Sequence, residues 1–171
     1  MKRIAVKVKY LDTSAIVKLF LDEDGSDRLR AYYNGHSSFC CAEMAFYEAM
    51  NVLKSRLFKG EKKEQYFENI RELRIMGWGW FSGKGKLEIE TMQLNDVAVF
   101  KEVYDYALKY DIDIADAIQL YVILKGRYSM LTGESMSVLI TADEKLEEAT
   151  LEKNIRVWNC GKTNRPDWLD S

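Results

Sequence analysis

Residues 4–17 read IAVKVKYLDTSAIV, and this stretch combines a strand with the beginning of a helix. In residues 4–9, the β-branched side chains at positions 4, 6 and 8 alternate with alanine or lysine at positions 5, 7 and 9. This is the period of a β-strand that has one favoured face. Asp12 follows the strand directly, at the position where open α/β sheets place their functional sites. Thr13 and Ser14 are typical helix-capping residues, so the spacing predicts a helix after them. The alternative is that Asp12 is itself a helix cap.

The rest of the chain repeats this alternation of strands and helices. Strands are predicted at residues 4–11, 38–40, 87–89, 138–141 and 155–158. Helices are predicted at residues 14–21, 27–34, 42–58, 62–76, 96–109, 113–124 and 144–153, with Ser26 and Asn95 as caps. Residues 77–85 are a predicted loop, and residues 126–136 a predicted loop or insert. The order predicts an α/β domain with a mainly parallel sheet.

The composition excludes several classes of protein. The 171 residues are 47% apolar, which excludes a disordered chain and predicts one domain over residues 1–160 with a polar tail at 161–171. The net charge of −2 argues against binding along duplex nucleic acid through a basic surface. One histidine excludes a His-rich zinc site, and three cysteines argue against a secreted disulfide scaffold. With no apolar run of membrane-spanning length and no signal peptide, we expect a cytoplasmic protein without a membrane partner.

A second acid repeats the arrangement of Asp12. Asp143 comes just after residues 138–142, which read VLITA and have the composition of a buried strand. The alternative is that Asp143 is only the N-cap of the helix that follows.

Two further acids lie on the apolar faces of predicted helices. Glu48 comes one turn before Val52, and Asp116 comes one turn before Leu120. A carboxylate that faces a core is unfavourable without partners. The alternatives are an ion pair at the edge of the apolar face for Glu48, and a first-turn acid favoured by the helix dipole for Asp116. Asp113 is better placed than Asp116 to be the cap of that helix.

These four acids can converge, because the carboxyl ends of parallel strands lie at the same edge of a sheet. Four close carboxylates repel one another and cannot all stay ionised without a cation. Mg²⁺ and Mn²⁺ prefer oxygen ligands, and such a metal can activate water and brace a phosphate. The sequence therefore indicates a divalent metal site formed by Asp12, Glu48, Asp116 and Asp143.

The same residues, in this order, resemble the PIN-domain nucleases, and most of all the VapC-type toxins. The resemblance covers about residues 4–159. It is carried by four pieces of sequence, which read YLDTSA at 10–15, EAMNVL at 48–53, IADAI at 114–118 and ITAD at 140–143. Each motif alone is weak, but four in the right order are specific.

This resemblance implies a five-stranded parallel sheet with helices on both faces. It implies cleavage of RNA that depends on Mg²⁺ or Mn²⁺ at Asp12, Glu48, Asp116 and Asp143, with Thr141 as a supporting hydroxyl. It also implies a homodimer and an antitoxin protein whose segment enters the active-site groove.

Three alternatives remain open at this point. Glu43 lies five residues before Glu48 and is a rival for the helical acid, although the residues after Glu48 favour the latter. The domain could be a catalytically silent module that binds RNA or protein. An aspartyl-phosphate phosphatase is a weaker hypothesis, because Ser14 occupies the position two residues after Asp12 where such an enzyme is expected to have a second aspartate.

Overall fold

The computed structural model describes residues 7–129 and 137–169, with the backbone alone at residues 80 and 81. Five strands form one sheet, and they are β1 Val8–Leu11, β2 Phe39–Ala42, β3 Leu87–Glu90, β4 Ser137–Thr141 and β5 Arg156–Asn159. Their order across the sheet is β3-β2-β1-β4-β5, and every pairing is parallel. The central strand β1 lies between β2 and β4, and Leu11 pairs with Ile140.

Helices connect these strands, as parallel pairing requires. They are α1 Thr13–Lys18, α2 Ser26–Gly35, α3 Glu43–Phe58, α4 Lys63–Trp78, α5 Val97–Tyr110, α6 Ile114–Lys125 and α7 Glu144–Glu152. Short 3-10 turns follow at Gly79–Ser82 and Asp167–Leu169.

Two hydrophobic cores lie on opposite faces of the sheet. On one face, alternate strand residues such as Leu11, Phe39 and Trp158 pack with helices α1 to α4. On the other face, residues such as Tyr10 and Leu139 pack with α5, α6 and α7. Because both faces are covered, strands β1, β2 and β4 are buried along their whole length. The predicted fold class, an α/β fold with a five-stranded parallel sheet between helical layers, is confirmed.

The predicted loop at residues 77–85 is wrong in its first part. Helix α4 continues to Trp78, and a 3-10 turn covers Gly79–Ser82. At Gly77 the helix packs closely against its neighbours, and a Cβ there would lie 2.6 Å from the ring of Phe46 and 2.8 Å from Ile89. The glycine is therefore a close-packing position within a helix, and it does not end the helix.

Two predicted helix caps are also wrong. Gly25 is the N-cap of α2, with φ of +86°, and a Cβ at this position would clash with the backbone carbonyl of Cys160. The Ser26 hydroxyl instead donates 2.7 Å to the carbonyl of Leu21. In α5 the cap is Asp96 rather than Asn95, because its carboxylate accepts from the N–H groups at positions 98 and 99.

Several sequence predictions fall partly outside the described residues. These are the first residues of the strand predicted at 4–11, most of the loop or insert predicted at 126–136, and the end of the tail at 161–171. Within the described ranges, no helix has the length and apolar character that a membrane span needs.

Candidate active site

Asp12 lies at the carboxyl end of β1 and is buried, with 2% of its surface exposed. Its Oδ1 accepts a hydrogen bond of 2.8 Å from the N–H of Ala15, so Asp12 does cap α1. The hydroxyls of Ser14 and Thr141 also donate to its carboxylate, at 2.9 Å and 2.7 Å. Burial raises the pKa of Asp12 to about 6, because desolvation outweighs these hydrogen bonds. Asp12 therefore accepts hydrogen bonds from Ser14 and Thr141 in addition to the one that caps α1.

The hydroxyls of Thr141 and Ser14 link the segments at the ends of β1 and β4. The Thr141 hydroxyl, which donates to Asp12, accepts a hydrogen bond of 2.9 Å from the N–H of Asp143. The Ser14 hydroxyl accepts a hydrogen bond of 2.8 Å from the N–H of Ala142. The family resemblance implies a supporting role for Thr141, whereas Ser14 was predicted only as a helix-capping residue. The two hydroxyls together fix the position of Asp12 relative to Asp143.

Glu48 faces the same region from helix α3. Its Oε2 accepts a hydrogen bond of 2.6 Å from the hydroxyl of Thr13, which holds the carboxylate beside α1. Val52, one turn later, is 37% exposed, so this face of α3 borders a pocket and does not face a core. The rival acid Glu43 lies in a different recess with Met44. The structure therefore places Glu48, and not Glu43, beside Asp12.

Asp116 is half-buried in the first turn of α6, and Asp113 is the cap of that helix, as predicted. Oδ1 of Asp113 accepts a hydrogen bond of 2.8 Å from the N–H of Asp116. The pKa of Asp116 is raised to about 8, first by burial and then by the negative charges of Asp113, Asp12, Asp143 and Glu48. This shift shows that the four predicted acids share one electrostatic environment.

Asp143 combines two roles. It caps α7, where its Oδ1 accepts a hydrogen bond of 2.8 Å from the N–H of Leu146. It also lines the same pocket as Asp12. The cap explanation for Asp143 is therefore correct without excluding a second role, since one carboxylate oxygen is enough for a cap.

One pocket of about 420 Å³ contains all four predicted acids. Its lining residues are Asp12, Thr13, Ser14, Val17, Lys18, Glu23, Glu48, Val52, Asp113, Asp116, Ala142 and Asp143. Within residues 7–129 and 137–169, none of the four predicted acids forms an ion pair. The pocket is thus a concentration of carboxylates with little compensating positive charge.

The side chains that line this pocket offer the type of ligand atom that a hard divalent cation binds. Its carboxylate oxygens are the ligands that Mg²⁺ and Mn²⁺ prefer, and burial together with the neighbouring negative charges raises the pKa of Asp116. In the described part of the chain, however, no three acidic, histidine or cysteine side chains are grouped tightly enough to enclose a metal ion. The acids therefore form an open set and not a preformed cage, which suits an ion that keeps several of its waters.

Comparison with known proteins identifies the fold but not the family. No family model matches the sequence, and no curated protein matches it. The solved structure of PAE2754 from Pyrobaculum aerophilum matches with a TM-score of 0.54 and 19% identity, over 92% of this chain and 89% of that chain. A chain of the structure of FitAB bound to an IR36 DNA fragment matches with a TM-score of 0.57 and 15% identity, over 92% and 99% of the two chains.

These similarities extend over nearly the whole of both matched chains. The identities are low, so the likeness defines the fold, which is PIN-like. The activity of the protein must be argued from its own residues.

Proposed function

We propose that this protein is a metal-dependent endoribonuclease, with residues 1–160 forming a single nuclease domain. One observation carries the proposal. Acids from four separate segments, Asp12, Glu48, Asp116 and Asp143, line a single pocket, and hydroxyl groups hold two of them in place. The likeness in fold to a chain of FitAB, which was solved bound to DNA, supports a role in nucleic-acid chemistry.

The four acids would hold Mg²⁺ or Mn²⁺ in this pocket. When bound, such an ion supplies Lewis-acid stabilisation of the negative charge that develops on the phosphate during hydrolysis. Thr141 and Ser14 orient the carboxylate of Asp12, and Thr13 orients that of Glu48. Burial and the neighbouring negative charges raise the pKa of Asp116 further than that of Asp12 is raised, so Asp116 gains more from a cation than Asp12 does.

We further propose that the protein acts in the cytoplasm as the toxin of a toxin–antitoxin pair. The pocket supports this proposal because it is open and acidic, and a cationic segment of a partner could therefore fill it and block RNA. Co-expression with the neighbouring gene product, followed by a cleavage assay of the purified complex, tests this partner.

We also propose a homodimer that uses helix α5. Four of its apolar side chains are exposed in one stripe, Val97 at 83%, Phe100 at 47%, Tyr104 at 48% and Leu108 at 65%. Such a stripe is typical of a surface that a second chain covers. Sedimentation of the wild type and of Leu108→Glu tests this assembly, and a monomeric wild type would contradict it.

The nuclease is tested by incubating a structured RNA pool with the purified protein in Mg²⁺, Mn²⁺ or EDTA. We expect cleavage that requires a divalent ion and is abolished in Asp12→Asn and Asp116→Asn. Asp24→Asn is the matched control, since Asp24 is exposed and lies outside the pocket. Full metal-dependent cleavage by both pocket variants would refute the mechanism.

A binding module without turnover is the second candidate function. The observation that favours it is that no tight metal-binding group exists among the described residues. This module would bind RNA in every divalent ion and cut it in none. The same assay, combined with an RNA-binding measurement, separates the two functions.

A further inference from the structure

Lys18 is a buried cation in an acidic pocket. It lies at the end of α1, is 7% exposed and lines the pocket together with Asp12. Its ammonium donates a hydrogen bond of 3.1 Å to Oε2 of Glu23, which also lines the pocket. The two residues lie on either side of the turn that follows α1.

The charge balance of the pocket makes Lys18 unusual. Six carboxylates line the pocket, and Lys18 is the one cation among the lining residues of the described chain. When all are ionised, five negative charges remain in excess, and a single divalent ion would not neutralise them. A phosphate group that enters this pocket needs a fixed positive charge as well as a metal.

The ammonium group of Lys18 also has unused hydrogen-bonding capacity. It carries three N–H donors, and Glu23 is its one acceptor among the residues that the structure describes. The two remaining donors are suited to an oxyanion that arrives from outside the protein.

We propose that Lys18 binds a phosphate of the RNA substrate, and that Glu23 holds the lysine in position beside the carboxylates. This inference rests on the proposed nuclease function and names a substrate-contacting residue for it. Glu23 is a positioning residue, because it acts through Lys18. Its side chain is 45% exposed, so it can move aside when a phosphate approaches.

The test measures binding of a fluorescent single-stranded RNA oligonucleotide by anisotropy, in EDTA and in Ca²⁺. We expect Lys18→Met to weaken binding by about tenfold, the effect of one lost charge-assisted hydrogen bond. Lys18→Arg keeps the positive charge and should restore most of the affinity. Glu23→Gln should weaken binding, but by less than Lys18→Met does, because the lysine keeps its charge and loses only the carboxylate that positions it.

The salt dependence of binding separates a phosphate contact from a structural role. Each phosphate contact with single-stranded RNA contributes about 0.7 to the slope of log Kobs against log salt concentration. Lys18→Met should lower the steepness of the plot by about this amount. If the Lys18–Glu23 pair only stabilised the fold, Lys18→Met would lower the melting temperature and leave the slope of log Kobs against log salt concentration unchanged.

The matched control is Lys162→Met, because Lys162 pairs with Glu144 at 2.9 Å and lies outside the pocket. This variant should bind RNA as the wild type does. Unchanged affinity and salt slope in Lys18→Met would overturn the assignment, as would a wild type that binds no RNA in either buffer.

The experiments can refute the phosphate contact of Lys18 and the proposed nuclease activity independently of each other. If RNA is cut but Lys18→Met binds normally, the assignment of Lys18 is wrong and the nuclease stands. If binding depends on Lys18 but Mg²⁺ and Mn²⁺ support no cleavage, the nuclease is wrong and the phosphate contact stands.

Discussion

Thr141, at the end of β4, donates a hydrogen bond of 2.7 Å to the buried carboxylate of Asp12, at the end of β1. The two residues are 129 positions apart in the sequence, and only the parallel pairing of β1 with β4 brings them together. The bond favours the ionised form of Asp12 and opposes the effect of burial on its pKa. The hydroxyl thus helps to keep Asp12 available as an anionic ligand.

Replacing Thr141 by Val should affect both stability and pH dependence. The change removes the hydroxyl that donates to Asp12 and leaves the N–H of Asp143 without its acceptor, so we expect a loss of about 1–3 kcal/mol in the free energy of unfolding. The pKa of Asp12 should rise above its value of about 6. Urea unfolding and the pH profile of RNA cleavage measure the two effects.

Thr150→Val is the control for this prediction. Thr150 is also fully buried, and its hydroxyl donates a hydrogen bond of 2.7 Å to the carbonyl of Leu146 within α7. This variant should lose similar stability while its pH profile stays that of the wild type. A Thr141→Val protein with an unshifted profile would show that the hydroxyl does not tune Asp12.

Glu48→Gln and Glu43→Gln form a matched pair on helix α3. Glu48 lines the carboxylate pocket, whereas Glu43 lies in a separate recess. We expect Glu48→Gln to reduce metal-dependent RNA cleavage by about 100-fold or more, as loss of a group that stabilises the transition state does. Glu43→Gln should stay within about twofold of the wild type. Equal losses in both variants would contradict the assignment of Glu48.

The strand-end acids could be predicted from the sequence for a physical reason. Parallel strands end at one edge of a sheet, so a carboxylate after each of two buried strands must lie at that edge, as Asp12 and Asp143 do. Glu48 could be predicted to sit at an apolar face, but its neighbour Val52 is exposed to the pocket and not to a core. The helical period predicts which residues share one face of a helix, but it does not predict whether that face packs against the core or borders a pocket.

The contacts between distant segments could not be predicted in the same way. The bond between the Ser14 hydroxyl and the N–H of Ala142 depends on how the first turn of α1 meets the end of β4. The close packing of Gly77 within α4 likewise depends on neighbours from other elements, Phe46 in α3 and Ile89 in β3. Local sequence rules contain no information about such neighbours, and for this reason the role of Ser14 and the end of α4 were missed.

Arg127 should stabilise the edge strand β3. Glu88 on this strand is 6% exposed, and its carboxylate pairs with the Arg127 guanidinium and accepts a hydrogen bond of 2.6 Å from the Tyr128 hydroxyl. Arg127→Met would leave this buried carboxylate without its cation, and we expect a loss of about 1–3 kcal/mol in the free energy of unfolding. Lys125→Met should change it by less than about 1 kcal/mol, because the pair of Lys125 with Glu102 is exposed. Urea unfolding compares the two variants, and equal losses would contradict the role of Arg127.

The pocket should make the metal-free protein less stable as the pH rises. The pKa values of Asp12 and Asp116 are raised in the folded state, to about 6 and about 8. Between about pH 4 and these values the folded state therefore binds more protons than the unfolded state does. Stability contributed by the protonated acids is present at low pH and is lost as the pH rises through the two folded-state pKa values.

Asp116→Asn tests this prediction, because the amide keeps the shape of the side chain and cannot ionise. In EDTA, the free energy of unfolding of the wild type should fall by about 1–3 kcal/mol between pH 5 and pH 8.5, relative to that of Asp116→Asn. Asp24→Asn, an exposed site, should follow the wild type. Mg²⁺ should restore stability at pH 8.5 in the wild type far more than in Asp116→Asn, since a ligand stabilises only the state that binds it. Parallel pH dependences for the wild type and Asp116→Asn would mean that neither burial nor the neighbouring charges raise the pKa of Asp116 in the folded protein.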